Sequence, residues 1–289
     1  MRYQFIEEHR GEHPLSVLCE TLEVSVSGYY AWRKRPVSHH DQEDAQIAEQ
    51  VKAAFYASRQ VYGSPRIHAE LRAQGIRCGQ KRVARLMRAQ GLATRRPRHC
   101  TITTHSDPEA NVAPNLLQRD FRAAQPNTKW VADTTYIWTT EGWLYLAVVL
   151  DLFSRMVVGW SMTAIQDGTL VLQALRMAVA RRQPEAGLLH HTDRGSTYTS
   201  ESYQTLLRQE GMRVSMSRTA DCYDNAAMES FFHSFKGECI DNQSFQTRAQ
   251  ARSATFDYLE TFYNRTRRHS PLNYLSPFEY EQVMYSPKV

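Results

Sequence analysis

Residues 129–217 change periodicity twice, and that double change restricts the fold more than any other feature of the chain. Three runs rich in β-branched and aromatic residues come first, Lys129–Ile137, Leu144–Asp151 and Arg155–Met162, joined by short turns containing Gly142 and Ser154. A helical pattern from Gly168 to Arg182 follows, then a short buried run, Leu188–His191. A second helix over Ser200–Glu210, stopped by Gly211, leads into a fifth strand at Met212–Ser217. Three meandering strands followed by alternating helices and strands predict an α/β fold, a mixed five-stranded sheet with helices on both faces.

That element order is the order of the ribonuclease H-like fold, and it sorts the acidic residues. Strands one and four become parallel neighbours, so Asp133 and Asp193, each following an apolar run, fall toward one edge of the sheet. Asp151 ends the antiparallel second strand and falls at the opposite edge. After Asp224 a helix carries Met228, Phe231, Phe232 and Phe235 at core spacing, and Asn225, Glu229, His233 and Lys236 form a stripe turned about 100° from it. Asp193 and Glu229 enclose 35 residues. Spacing alone says little in a chain with 30 acidic residues. The strand, strand-end and helix settings are what single out these three. Converging carboxylates can hold two divalent cations that clamp the attacking and leaving oxygens of a phosphodiester.

Charge is distributed unevenly upstream. The net charge is +5, yet between Arg59 and Arg98 eleven Lys and Arg stand against the single acid Glu70. Such a segment suits a polyanion. Within it, Ser64-Pro65 reads as an N-cap and first helical residue, with Gly75 closing the helix. A second helix, Gln80 to Gln90, turns Val83, Leu86 and Met87 inward and Lys81, Arg82, Arg85 and Arg88 toward phosphates. Residues 14–35 read as two short helices, with Pro14 at a first helical position, Ser27 as an N-cap, and Arg33-Lys34-Arg35 at the end. They form either a helix-turn-helix that grips DNA or a plain helical hairpin with a dipole-complementing basic end.

The expected organisation is a helix-turn-helix at 1–36, a basic helical module at 37–98 and a linker at 99–124. A catalytic core at 125–240 and a helical extension at 241–289 complete it. Five scattered cysteines without a Cys-x-x-Cys pair argue against a disulfide framework or zinc ribbon, and fit a reducing cytoplasm. His9 and His13 lack paired cysteines and read as surface residues. The N-terminus carries no signal-peptide pattern, and the longest apolar run, Leu144 to Leu150, is too short to cross a bilayer.

Several stretches carry a resemblance over nearly the whole chain. They are Trp130-Val131-Ala132-Asp133-Thr134-Thr135-Tyr136-Ile137, His191-Thr192-Asp193-Arg194-Gly195-Ser196, Cys222-Tyr223-Asp224-Asn225 and Glu229-Ser230-Phe231-Phe232 with Lys236 seven positions beyond the Glu. Upstream Tyr62-Gly63-Ser64-Pro65-Arg66-Ile67 and downstream Tyr263-Asn264-Arg265 and Arg267-Arg268-His269-Ser270 extend it. Together they resemble the OrfB-type catalytic subunit of insertion-sequence-3 family transposases, relatives of retroviral integrases. Thr134, Thr197 and Asp221 depart from the pattern, where a bulky aliphatic residue, Gln and Asn are expected; none is a candidate ligand.

The resemblance implies that Asp133, Asp193 and Glu229 are a DDE triad binding two Mg²⁺, with Mn²⁺ able to substitute. It implies strand cleavage at the element ends and 3′-hydroxyl strand transfer, with Asn225, His233, Lys236 and the basic residues Arg33, Lys34, Arg35, Arg66, Lys81, Arg82, Arg85 and Arg88 toward DNA. Double-stranded DNA, an OrfA-type protein from an upstream reading frame and further copies of the chain are the implied partners. The competing readings are a nuclease of the same fold that hydrolyses without joining, and an inert DNA-binding regulator.

Overall fold

The computed structural model of the chain describes residues 1–36, 38–94, 113–218, 222–241 and 243–285. Among the described residues six helices precede the sheet: α1 (Arg2–His9), α2 (Leu15–Thr21), α3 (Val26–Lys34), α4 (His39–Ala57), α5 (Ser64–Ala73) and α6 (Gln80–Ala89). The core follows as β1 (Lys129–Thr139), β2 (Gly142–Asp151), β3 (Val157–Thr163), α7 (Gly168–Arg182), β4 (Leu189–Thr192), α8 (Ser196–Thr199), α9 (Glu201–Gln209) and β5 (Arg213–Met216). A 3₁₀ turn at Cys222–Asn225 opens α10 (Ala226–Phe235), which widens into a π-turn at Lys236–Ile240. Then come α11 (Arg248–Phe256), a second π-segment at Asp257–Tyr263 and α12 (Pro277–Met284).

The five strands lie in the order β3-β2-β1-β4-β5. β1 and β2 pair antiparallel, as do β2 and β3; β4 lies parallel to β1 and β5 parallel to β4. This is the ribonuclease H-like mixed sheet that the run order predicts. Strand alternation divides its side chains between two layers. Leu144, Leu146, Val148 and Leu150 of β2 pack with Met228, Phe231 and Phe235 of α10, and Ala147 and Val149 face Leu170, Ala174 and Leu175 of α7. Gly159 lets α7 approach β3 closely, because a Cβ there would lie 2.2 Å from the Ala174 carbonyl oxygen.

The upstream helices form two groups. Ile6, Leu18, Cys19 and Tyr29 make a small core of their own in α1–α3. Val51, Phe55, Ile67, Leu71, Val83 and Met87 of α4–α6 instead join the same apolar cluster as α10. Tyr62 cements that union: its hydroxyl donates to the Thr266 carbonyl at 3.2 Å and accepts from the Arg268 N–H at 2.6 Å.

Three local expectations are corrected. Ser25, not Ser27, caps α3, accepting from the Gly28 N–H at 3.0 Å. Gly63, not Ser64, precedes α5, since its carbonyl already takes hydrogen bonds from Arg66 and Ile67 at 3.1 Å. Helices α1 and α4 were not foreseen; α4 is amphipathic only weakly, and burial of Val51, Ala54 and Phe55 holds it. Most of the expected linker, and Asp221, lie outside the described residues. Among the described residues no helix is long and apolar enough to cross a membrane.

Candidate active site

The parallel pairing of β1 with β4 sets Val131 opposite His191. Asp133 lies two residues further along β1 and Asp193 one residue past the end of β4, and the two line the same cleft. Asp151, the last residue of β2, pairs with Trp130 of β1, roughly 10 Å back along β1 from Asp133 and toward the other end of the sheet. There it accepts from the Asn127 and Phe153 N–H groups at 2.7 and 2.8 Å, and Arg182 lies 3.8 Å away.

A backbone N–H holds one oxygen of each aspartate. The Thr134 N–H donates to Asp133 Oδ1 at 2.7 Å, and the Gly195 N–H donates to Asp193 Oδ1 at 2.9 Å. Asn225 Nδ2 donates to Asp133 Oδ2 at 3.2 Å, tying the start of α10 to β1. Burial, and then the charge of Asp193, push the Asp133 carboxyl well above the usual carboxylate range. Glu229 adds to that push, while the Thr134 N–H and Lys236 oppose it. Burial also raises Asp193 and Glu229. Like charges gathered in a recess favour either a proton or a cation between them.

The cleft over the aspartates has a volume of about 530 Å³ and is lined also by Tyr136, Trp143, Gln166 and Tyr198. Tyr198 is buried and its hydroxyl has no hydrogen-bond partner among the described residues. The carboxylates lie close enough to Tyr198 for their charge to help keep its phenol protonated, after burial. Two repelling carboxylates lining one cleft are hard oxygen donors of the kind that suit a hydrated hard cation. Glu229 itself is exposed, and among the described residues no three acidic, histidine or cysteine side chains are already closed around one point. The two aspartates thus share the cleft, while Glu229 on α10 is near enough for its charge to reach Asp133.

Position of the Glu229 helix depends on Asp224. This carboxylate is fully buried and accepts from the Arg218 N–H, Nε and Nη2 at 2.9, 3.0 and 2.9 Å, Arg119 Nε at 3.1 Å and Asn115 Nδ2 at 2.8 Å. Those donors, Arg218 foremost, hold it far below the usual carboxylate range. The clamp joins the exit of β5, the segment ahead of β1 and the 3₁₀ turn that starts α10.

Comparison with known proteins places the chain. Residues 123–222 and 229–284 match two families both described as Integrase core domain, and residues 41–99 match an HTH-like domain. The transposase InsF for insertion sequence IS3A from Escherichia coli (strain K12) is 45% identical over 283 residues, covering 97% of this chain and 98% of the relative. The chain belongs to the IS3 family of transposases. A 31 kDa protein of insertion element IS600 from Shigella sonnei is 41% identical over 265 residues, 92% of this chain and 97% of that protein. Among solved structures, a simian T-cell lymphotropic virus intasome in complex with PP2A regulatory subunit B56 gamma matches at 14% identity and a TM-score of 0.45, over 83% of this chain and 76% of that one. As an IS3-family transposase the protein is a DNA-acting polynucleotidyl transferase.

The transposase arranges its basic residues less uniformly than the charge run predicts. Lys81 and Arg88 are exposed and have no ionic or hydrogen-bonding partner among the described residues. Arg82 and Arg85 are bound by Asp44, with Arg82 Nε at 2.6 Å, and Glu43 adds a contact to Arg82 at 3.3 Å. The counter-acids sit on α4, ahead of the segment in which they seemed absent. Arg66 is half-buried and pairs with Glu238 at 3.3 Å. Arg33, Lys34 and Arg35 are exposed at the end of α3, and Arg33 lies 3.7 Å from Glu7. His233 is exposed, Asn225 is buried, and Lys236 stacks 4.7 Å above the Tyr136 ring. Sequence reasoning missed Tyr198, Tyr136 and Trp143, whose apolar neighbours make them read as ordinary strand or core aromatics. It quoted Asp224 without giving it a role, although a buried Asp beside Asn at a helix start was a usable signal.

Proposed function

We propose that Asp133, Asp193 and Glu229 are the catalytic carboxylates of this transposase and hold two Mg²⁺, with Mn²⁺ able to replace them. The observation that carries this reading is that Asp133 on β1 and Asp193 just past the end of parallel β4 line one cleft, with the charges of Asp193 and Glu229 reaching Asp133. When bound, the ions would supply Lewis-acid charge at the attacking and leaving oxygens of a phosphodiester. The chain's own part is to present oxygens. Backbone N–H groups fix Oδ1 of each aspartate. Asn225 steadies Asp133 Oδ2, and Glu229 closes in from the rim of α10.

In this reading the enzyme hydrolyses a strand at the element's end and then directs the freed 3′-hydroxyl at a second phosphodiester, without a covalent protein–DNA intermediate. Lys236, His233, Lys81, Arg88 and the 33–35 cluster contact DNA. An upstream-frame partner and further copies of the chain complete the assembly, which works in the bacterial cytoplasm. Glu229→Gln is the test. With short element-end duplexes and Mg²⁺, we expect DNA binding to persist while both nicked and joined products disappear. Equal activity in that variant would refute the triad. Nicks without joined strands from the unaltered protein would reduce the activity to hydrolysis.

A further inference from the structure

A second recess, of about 310 Å³, opens on another flank of α10. Ser230 and Ser234 line it, one residue beyond Glu229 and His233 and thus about 100° further round the helix. Its floor is formed by Arg155, Arg267 and His269, with Arg66 beside them. Two of the three guanidinium groups share one acid: Glu238 accepts from Arg267 Nε and Nη2 at 2.6 Å and from Arg66 at 3.3 Å. Arg155 makes no ion pair among the described residues; its hydrogen bond is to the Phe121 carbonyl at 3.2 Å. The charge of Asp151 reaches Arg155, but Asp151 is engaged by two backbone N–H groups and Arg182. Burial, then Arg267, Arg66 and Arg155, keep His269 neutral. The Ser230 and Ser234 hydroxyls have no partner among the described residues.

Positive charge therefore exceeds negative inside a half-closed recess, where an unpaired cation is costly. Free hydroxyl donors and a guanidinium without a carboxylate are the chemistry of a phosphate site. We propose that this recess binds a phosphate of the DNA backbone, holding a strand against the side of α10 turned away from Glu229. The proposal rests on DNA being the substrate, not on the assignment of the carboxylates.

The test is binding of a labelled duplex from the element's end to the full chain, by fluorescence anisotropy with Ca²⁺ across a salt series, so that turnover plays no part. Arg155→Gln should weaken binding about tenfold and reduce the slope of log affinity against log salt by about one. Its melting temperature should hold or rise, because a buried uncompensated cation is removed. Ser234→Asp supplies an anion from the protein itself, so it should raise the melting temperature without DNA and weaken DNA binding. An unchanged salt slope in Arg155→Gln, or a lowered melting temperature in Ser234→Asp, overturns the proposal. Inorganic phosphate forms a separate arm: if it stabilises the unaltered protein but not Arg155→Gln while the DNA slope is unchanged, the recess binds small anions and not the backbone.

Discussion

Two aspartates at opposite ends of the sheet show how setting decides the use of one residue type. Asp133 faces a cleft with a second carboxylate beside it, whereas Asp151 is sealed among backbone donors. Burial outweighs those donors and Arg182, and raises Asp151 to about 6. A carboxyl that binds its proton more tightly when folded stabilises the protein most at low pH, and that contribution falls as pH rises from the unfolded value near 4 through 6. We expect Asp151→Asn to lack this loss. Relative to the unaltered protein, it should gain about 3 kcal/mol of stability between pH 4 and pH 7, an order of magnitude from the size of the shift. Urea denaturation at both pH values would check it, and a constant difference would show that Asp151 stays ionised throughout.

At the scale of elements, β1 and α10 have to be held in register for Glu229 to border the aspartates. Asp224 does this from a fully buried position, and Arg119 and Arg218 are half-exposed. Asp224→Asn keeps the shape but removes the charge that five donors share. A loss of about 2 kcal/mol is expected from the charged hydrogen bonds, together with slower strand cleavage at unchanged DNA affinity. Full activity in a variant of lowered melting temperature would show that the clamp supports the fold alone. On the other face, Gly159→Ala would drive a Cβ into Ala174 and Ala178. It should cost about 3 kcal/mol by overpacking, measurable as an earlier thermal transition.

For the whole molecule, the distribution of charge matters more than its sum. The basic module is joined to the catalytic core through Tyr62, by Arg268 to Glu70 at 2.6 Å and by Arg59 to Asp257 at 2.7 Å. Several of its cations thus hold the protein together. Lys81 and Arg88 do not, so a double change of both to Ala should flatten the salt dependence of DNA binding by about two counterions. The melting temperature should stay the same. Arg82→Ala should do the reverse, loosening α4 from α6 with little effect on the salt slope. Filter binding and thermal melts on the same preparations would separate the two; a steep slope retained by the double variant would remove this face from the DNA interface.

The strand order, the core stripe of α10 and the separation of Asp133 and Asp193 from Asp151 were legible in the sequence, because periodicity reports which face of an element is buried and run order limits how strands pair. The partners of the charges were not legible. Arg82 meets acids 38 and 39 residues before it, Arg66 meets Glu238 from 172 residues away, and Arg119 meets Asp224 across 105. Tyr198 likewise reads as a core aromatic until the sheet sets its hydroxyl beside two carboxylates. Local pattern fixes what each element is and which side it buries; only the folded chain decides which charges neutralise one another, since that depends on proximity between elements whose sequences carry no mark of each other.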